Sequence, residues 1–282
     1  MGWHDGLARG FAGAVIGLAA SAALAQFKFD VPYVPTPYVV VEEMLRLAKV
    51  GPDDFVMDLG SGDGRILIAA ASKVGARGIG VDLDPERIEE SVYNAQTQGV
   101  RDRVAFEQQD LFKFDISRAT VVTMYLLPSV NMKLRARLFD DLKPGTRIVS
   151  HDFGLGDWQP DEKSTVRKNV FLWIVPAKVA GRWRTTLMLP AGERTYDIEI
   201  RQKFQEIDGL TRYDKKVASL WNARLSGDRI NFVIVDDSGE IDSNLYFDGK
   251  VTGGAMEGII ARGIGGDRTQ IPWRAARIAS PQ

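Results

Sequence analysis

Between residues 36 and 180, short apolar runs alternate with segments whose apolar positions recur at helical spacing. Thr36 caps a helix with Pro37 in its first turn, and Val40, Met44 and Ala48, together with Val41 and Leu45, form one apolar stripe that ends near Lys49 before Gly51-Pro52. Strands are then predicted at Phe55–Leu59, Gly78–Val81, Val104–Glu107, Thr120–Tyr125 and Arg147–His151, with Phe171–Pro176 completing the sheet. Helices are predicted at Gly64–Val74, Pro85–Gln98 and from Asn131 to Leu142. Apolar strands separated by amphipathic helices imply parallel pairing with both sheet faces covered, an α/β doubly wound fold. Beyond about Thr185 the helical spacing stops. Runs at Tyr196–Ile200, Val217–Leu225, Arg229–Val235, Asn244–Phe247 and Ala255–Ile260 are divided by Ser226-Gly227-Asp228, Asp237-Ser238-Gly239 and Asp248-Gly249, predicting an antiparallel meander or small barrel. Trp183 and Trp221 are expected to anchor its core.

At the other end, Arg9 precedes an apolar stretch from Phe11 to Ala25 that closes on Ala23-Leu24-Ala25. This is the pattern of a bacterial secretory signal peptide. An uncleaved inner-membrane anchor is the alternative, so the protein is expected to be exported to the periplasm or held at the membrane, with its orientation open. Three parts follow: residues 1–26 as signal or anchor, 27–180 as the α/β domain, and 181–282 as an accessory β domain.

Composition narrows the chemistry. The 36 Lys+Arg and 37 Asp+Glu nearly cancel, and no basic run stands out, so no nucleic-acid partner is expected. No Cys, and only His4 and His151, remove thiolate chemistry and make a metal site an unexpected reading.

The turn after the first strand reads Asp58-Leu59-Gly60-Ser61-Gly62-Asp63-Gly64. A dinucleotide site calls for G-x-G-x-x-G; here the third glycine comes one residue early and Asp58 would repel phosphate. A zwitterionic amino acid suits the turn better: Asp58 meets an ammonium while the amides around Gly60, Ser61 and Gly62 meet a carboxylate. Asp82, ending the second strand, is placed to accept from a ribose diol, and Asp84 before Pro85 reads as a helix cap. Asp110 after the third strand can accept from an adenine amine, with Leu111 beside the ring. Ammonium, carboxylate, ribose and adenine together describe S-adenosylmethionine. A turn or cap role remains the alternative for each aspartate.

These residues, in this order along one α/β unit, resemble the class I S-adenosylmethionine-dependent methyltransferases, whose sheet is Rossmann-like. The resemblance implies that the acceptor lies at the end of the fourth strand under the preceding N-terminal segment, which makes Tyr125 and Tyr33 the acceptor-side candidates and adds Thr36 to the cofactor side. Pro32-Tyr33-Val34-Pro35-Thr36 and Asp58–Arg65 with the apolar N-terminus look like the mitochondrial protein-lysine methyltransferases acting on the ATP synthase membrane ring and the adenine nucleotide carrier, and their bacterial relatives. That implies a lysine acceptor, such as one on a membrane protein. Tyr125-Leu126-Leu127-Pro128 and His151-Asp152-Phe153-Gly154 depart from that narrower pattern. For a lysine, Asp152 could take the departing proton, or could simply bond loop amides. A small-molecule acceptor and a non-catalytic nucleoside- or partner-binding protein are the competing functions.

Overall fold

The computed structural model describes residues 33–235, 244–263 and 269–279. Contacts divide the chain into two compact units, Met1–Val34 and Pro35–Gln282. The expected signal or anchor and the Asp237–Gly239 turn lie outside the described residues.

The second unit opens with helix α1 (Tyr38–Leu47), whose buried Val40, Val41, Met44 and Leu45 form the stripe the spacing predicts. Its cap differs from expectation. Pro37 occupies the cap position and its carbonyl takes the N–H of Val40 and Val41, while the Thr36 hydroxyl turns away to His151. Then follow β1 (Phe55–Leu59), α2 (Arg65–Val74), β2 (Arg77–Asp82), α3 (Pro85–Thr97), β3 (Val104–Gln108), β4 (Val121–Met124), α4 (Pro128–Asp140) and β5 (Arg147–His151). A hairpin of β6 (Glu162–Val166) and β7 (Lys168–Ile174) completes a seven-stranded sheet of order β3-β2-β1-β4-β5-β7-β6. The first five pair in parallel and the hairpin adds antiparallel to β5.

Local chemistry sets these boundaries. Asp84 caps α3, accepting the Glu86 N–H at 2.9 Å with Pro85 in the first turn, as the sequence indicates. Gly75 at φ 78 closes α2 with N–H bonds from Gly75 to Ala71 and from Ala76 to Ala70, the left-handed stop that suits glycine. Helix α4 starts at Pro128, three residues ahead of the predicted Asn131, because a proline is pre-set for a first helical turn. Strand β6 escapes a reading by apolar alternation: its Glu-Lys-Ser-Thr-Val run lies at the sheet edge and buries little.

From Gly181 the chain forms a closed barrel of β8 (Gly181–Leu189), β9 (Gly192–Lys203), β10 (Glu206–Tyr213), β11 (Lys216–Ser226), β12 (Arg229–Ile234), β13 (Leu245–Thr252), β14 (Ala255–Arg262) and β15 (Thr269–Ala279). Closure pairs each strand with a neighbour on both sides, β15 and β8 over only part of their length. Trp183 is fully buried and donates to the Val179 carbonyl at 2.8 Å. Trp221, expected in the core, is instead 59% exposed. Leu220 and Leu225 both face inward although four residues, an even number, lie between them, so the strand must bulge between them. The register shift lies between Trp221 and Arg224, with Asn222 at φ 48, and it leaves Trp221 outside. Strand β15 carries Pro272 where it pairs with β14 and not yet with β8, a one-sided position that tolerates a missing N–H.

Sheet and barrel meet through an aromatic seam. The Trp158 ring stacks on Phe204 at 4.9 Å between centroids, and Phe139 from α4 meets both edge-on at 5.7 and 5.5 Å. Gln205 donates to the Gln159 carbonyl at 2.6 Å, and the Ala177 amide to that of Gly227 at 2.7 Å. Because Trp158 is 1% exposed, Trp158→Ala is expected to lower stability by about 3–5 kcal/mol in denaturant unfolding. Trp221→Ala, removing an exposed ring, is expected to change it by about 0.5 kcal/mol or less.

Candidate active site

Strand order reverses between β1 and β4, since the crossover from β1 runs to β2 while β4 lies on its other side. Such a switch opens a crevice at the carboxyl ends of the strands. The turn after β1 lines it. The Gly60 and Ser61 amides both donate to the Val81 carbonyl at 2.9 Å, the Gly62 amide donates to Asp82 Oδ2 at 2.9 Å, and the Gly64 amide to the Ser61 carbonyl at 2.9 Å. These amides are therefore engaged within the protein, which corrects the expectation that they await a ligand carboxylate. The glycines also have packing reasons. Gly60 has φ 78 and a Cβ there would sit 2.7 Å from Leu126 Cδ2; at Gly64, φ 79, it would collide with Phe106 and Ser91.

Three aspartates stand on three successive strand ends. Asp82 is half-buried and its two oxygens accept the amides of Gly62 and Asp84 at 2.9 and 3.0 Å, which fixes the carboxylate and leaves each oxygen able to accept again. Its carbonyl takes the Gln109 amide at 3.0 Å, tying the end of β3 to it. Asp110 Oδ1 accepts the Phe112 amide at 2.9 Å, so Asp110 does form the turn that is its alternative reading, while Oδ2 lies 3.5 Å from Lys113 Nζ. Leu111 is half-buried beside it and its carbonyl accepts from Arg137 at 3.2 Å. Asp58 is 1% exposed beneath the turn: Oδ1 accepts the Thr123 hydroxyl at 2.6 Å and Oδ2 is buried without a partner among the described residues. A fixed carboxylate suited to a diol, a second suited to an amine and a buried carboxyl with one oxygen left to meet an ammonium form a set that fits S-adenosylmethionine.

The profile of the ANTKMT methyltransferase domain matches residues 58–162, from Asp58 to the start of β6. A Saccharolobus islandicus (strain REY15A) protein named protein-lysine N-methyltransferase is 46% identical over 151 residues, covering 51% of this chain and 94% of its own length. The chain belongs to this family of S-adenosylmethionine-dependent methyltransferases. The Mus musculus adenine nucleotide translocase lysine N-methyltransferase is 37% identical over 134 residues, 47% of this chain, and is matched over 58% of its own length. A Salinibacter ruber crystal structure described as an RNA methyltransferase, in complex with S-adenosyl-L-homocysteine, is 53% identical, covers 52% of this chain and 96% of its own, and superposes with a TM-score of 0.51.

On the other side of the methyltransferase crevice, at the ends of β4 and β5, Tyr125 stacks against His151 with centroids 3.8 Å apart and lies 6.1 Å from Phe153. Thr36, expected on the cofactor side, joins this group to the β1 turn: its hydroxyl is 3.1 Å from His151 Nδ1 and its carbonyl accepts from Arg65 at 3.1 Å. Arg65 in turn grips Asp63 of the turn, with the closest contact at 2.5 Å. Strand β5 ends at His151, and Asp152 lies one residue past it at φ 63, bonded to Lys168 Nζ at 2.9 Å. The lysine holds this carboxyl below the usual range, so Asp152 is a poor proton acceptor. Tyr33 is 44% exposed and belongs to the first compact unit, not to the one that holds these groups. The sequence assigns His151 no site role: it argues against a histidine-built metal site and places His151 in a run that departs from the narrower family pattern. Its signal as a site residue is a lone histidine at the end of an apolar parallel strand, the edge where this fold gathers ligands.

Burial pushes the Asp58 carboxyl up to about 7, opposed by the Thr123 hydrogen bond and aided by the nearby Asp82 and Asp63 charges. An acid whose pKa is raised by folding holds its proton while the unfolded chain loses it, so the folded state loses stability as pH rises from about 4 to about 7. Asp58→Asn is expected to remove a loss on the order of 2–4 kcal/mol across that window, measured by urea unfolding at pH 5 and pH 8.

Proposed function

We propose that this enzyme methylates the side-chain nitrogen of lysine in a protein. The observation that carries the reading is the aromatic, uncharged wall of Tyr125 and His151 at the ends of β4 and β5. Burial lowers the His151 pKa to about 4, and the Asp152 charge beside the wall is matched by Lys168. A lysine entering such a wall is favoured as the neutral amine, because desolvation penalises the ammonium, and only the neutral amine has the lone pair to be methylated. The name of the 46% identical archaeal relative supports the same acceptor. S-adenosylmethionine, when bound, supplies the electrophilic methyl on its sulfonium.

The chain's own residues then have distinct tasks. Asp82 holds the ribose hydroxyls, Asp110 with Leu111 holds the adenine edge, and Asp58 with the Gly60–Gly62 turn faces the amino-acid end. The close approach of Leu126 to Gly60 sets the end of β4 against that turn, so Tyr125 would lie on the side of the crevice toward which a bound cofactor's methyl group is carried. The contribution to rate is positioning and exclusion of water; no covalent nucleophile is needed. An acceptor lysine on a membrane protein fits the apolar Phe11–Ala25 run, either as an anchor or as a route of export. RNA is the second reading, favoured by the name of the Salinibacter ruber relative at 53% identity.

Incubating the full chain with methyl-tritiated cofactor and a membrane-containing lysate, then separating protein, RNA and solvent-extractable product, tests this directly. Methyl-lysine in acid hydrolysates of the protein fraction is the expected outcome, and label confined to RNA or to small molecules refutes it. Asp82→Ala is expected to weaken cofactor binding in calorimetry roughly 10- to 100-fold, because a half-buried carboxylate that accepts charge-assisted hydrogen bonds is removed.

A further inference from the structure

The His151 imidazole has one nitrogen without a partner. His151 is 1% exposed, its Nδ1 lies 3.1 Å from the Thr36 hydroxyl, and Nε2 is buried with no hydrogen-bond partner among the described residues. Burial, outweighing the attraction of Asp152, keeps the ring neutral at physiological pH. A neutral imidazole has one N–H and one lone pair, and the Thr36 hydroxyl can serve either at Nδ1. With the proton on Nε2, a donor would be buried with nothing to accept it, the rarer and costlier orphan. With the proton on Nδ1 and given to Thr36, Nε2 presents a lone pair instead.

The neighbours of the ring tie it to both ends of the site. The β1 turn grips Arg65, Arg65 holds the Thr36 carbonyl, Thr36 meets His151, His151 stacks on Tyr125, and the next residue, Leu126, returns to Gly60. This circuit ties His151 to the β1 turn on one side and to the end of β4 on the other. We infer that His151 holds the methyl acceptor, its Nε2 accepting a hydrogen bond from an N–H of the incoming amine, and that Thr36 is the positioning residue that fixes the tautomer. The inference rests on the lysine reading above.

Held by one N–H, the amine has its lone pair free to be turned toward the methyl carbon. The lone pair forms the new N–C bond as the S–C bond breaks onto sulfur, and the product ammonium sheds its extra proton to water, because His151 is too weak a base to keep it.

The chain contains only two histidines, His4 and His151, so long-range proton–nitrogen spectra of the uniformly 15N-labelled full chain read the tautomer directly, with His4→Gln assigning the signals. The expected spectrum has a protonated Nδ1 and an unprotonated Nε2 at His151. The Nε2 signal should move when Nα-acetyl-lysine methyl ester is added in the presence of S-adenosylhomocysteine. On the lysine substrate found in the lysate, His151→Ala should lower kcat about 10- to 100-fold while the Kd for S-adenosylhomocysteine changes less than about 2-fold. His151→Gln should recover part of kcat, because its amide oxygen can accept the same N–H, and Thr36→Val should lower kcat with a mixed-tautomer spectrum. A proton on Nε2, an Nε2 signal indifferent to the amine, or wild-type kcat in His151→Ala overturns the proposal. The wild-type spectra decide the matter even if a variant fails to fold. Should the wild type label RNA and no lysine, the lysine reading falls, and this proposal then stands or falls on the shift caused by the amine probe.

Discussion

The site depends on one knot of backbone hydrogen bonds: the amides of Gly60 and Ser61 on the Val81 carbonyl, and the Gly62 amide on Asp82. Without it, the turn after β1 would be a mobile glycine loop and Asp82 an aspartate free to rotate at a strand end. With it, the turn is pinned to the neighbouring strand and the carboxylate is aimed by the turn it fixes. The positive φ values at Gly60, Gly62 and Gly64 are what let three successive bends fit in so short a span, and they explain the glycines better than any ligand contact does. The knot also accounts for Asp58. Sealed under the turn with a single hydroxyl partner, it carries a raised pKa that the fold tolerates because the same sealing positions the crevice floor.

What is legible in the sequence follows the range of the interactions involved. Strands β1 to β5, their helices and the three aspartates on successive strand ends are encoded by local periodicity and by turns, and these can be read. Asp84 as a cap before Pro85 is likewise a local decision. Thr36 shows the opposite case: by local rules a threonine before proline caps a helix, yet its hydroxyl bonds a histidine 115 residues away. Trp221 fails for a related reason, because a bulge between Trp221 and Arg224 shifts the inward face by one residue, so alternation counted back from Leu225 puts Trp221 on the wrong side, and no residue type announces it. Strand β6, polar and at an edge, and β15, interrupted by Pro272, are strands only because a neighbour supplies the pairing. His151 is readable in position but not in role, since a buried imidazole acquires its state from groups that only the fold assembles.

The two ends of the crevice are built differently. At its cofactor-facing end the amides of Gly60, Ser61 and Gln109 bond within the sheet, while the Asp82 and Asp58 carboxyls accept from Gly62, Asp84 and Thr123 nearby. The acceptor-facing end leans on side chains from far apart. Asn131 of α4 reaches the carbonyls of Phe153 and Gly154 at 3.3 Å, and Arg135 bonds the Leu155 carbonyl and pairs with Asp157. Both arginine and helix face the barrel as well, Arg135 lying 5.6 Å over the Phe204 ring and Phe139 packing edge-on against it.

That arrangement gives the barrel a place in the logic of the site. Helix α4 begins directly after Leu126-Leu127, and the segment 153–158 follows His151 and Asp152, so the two elements bordering the acceptor wall are the two that carry the aromatic seam. An apolar stack among Trp158, Phe204 and Phe139 resists shear because displacing it opens a void in a close-packed region. The barrel is thereby coupled in position to Tyr125 and His151, and also, through Arg137 of α4, which donates to the Leu111 and Phe114 carbonyls, to the segment that follows β3. A displacement of Phe204 is therefore passed by α4 to the ends of β4 and β5 and to the segment after β3, whereas Asp82, held by the amides of Gly62 and Asp84, takes its position from the β1 turn and its own strand end.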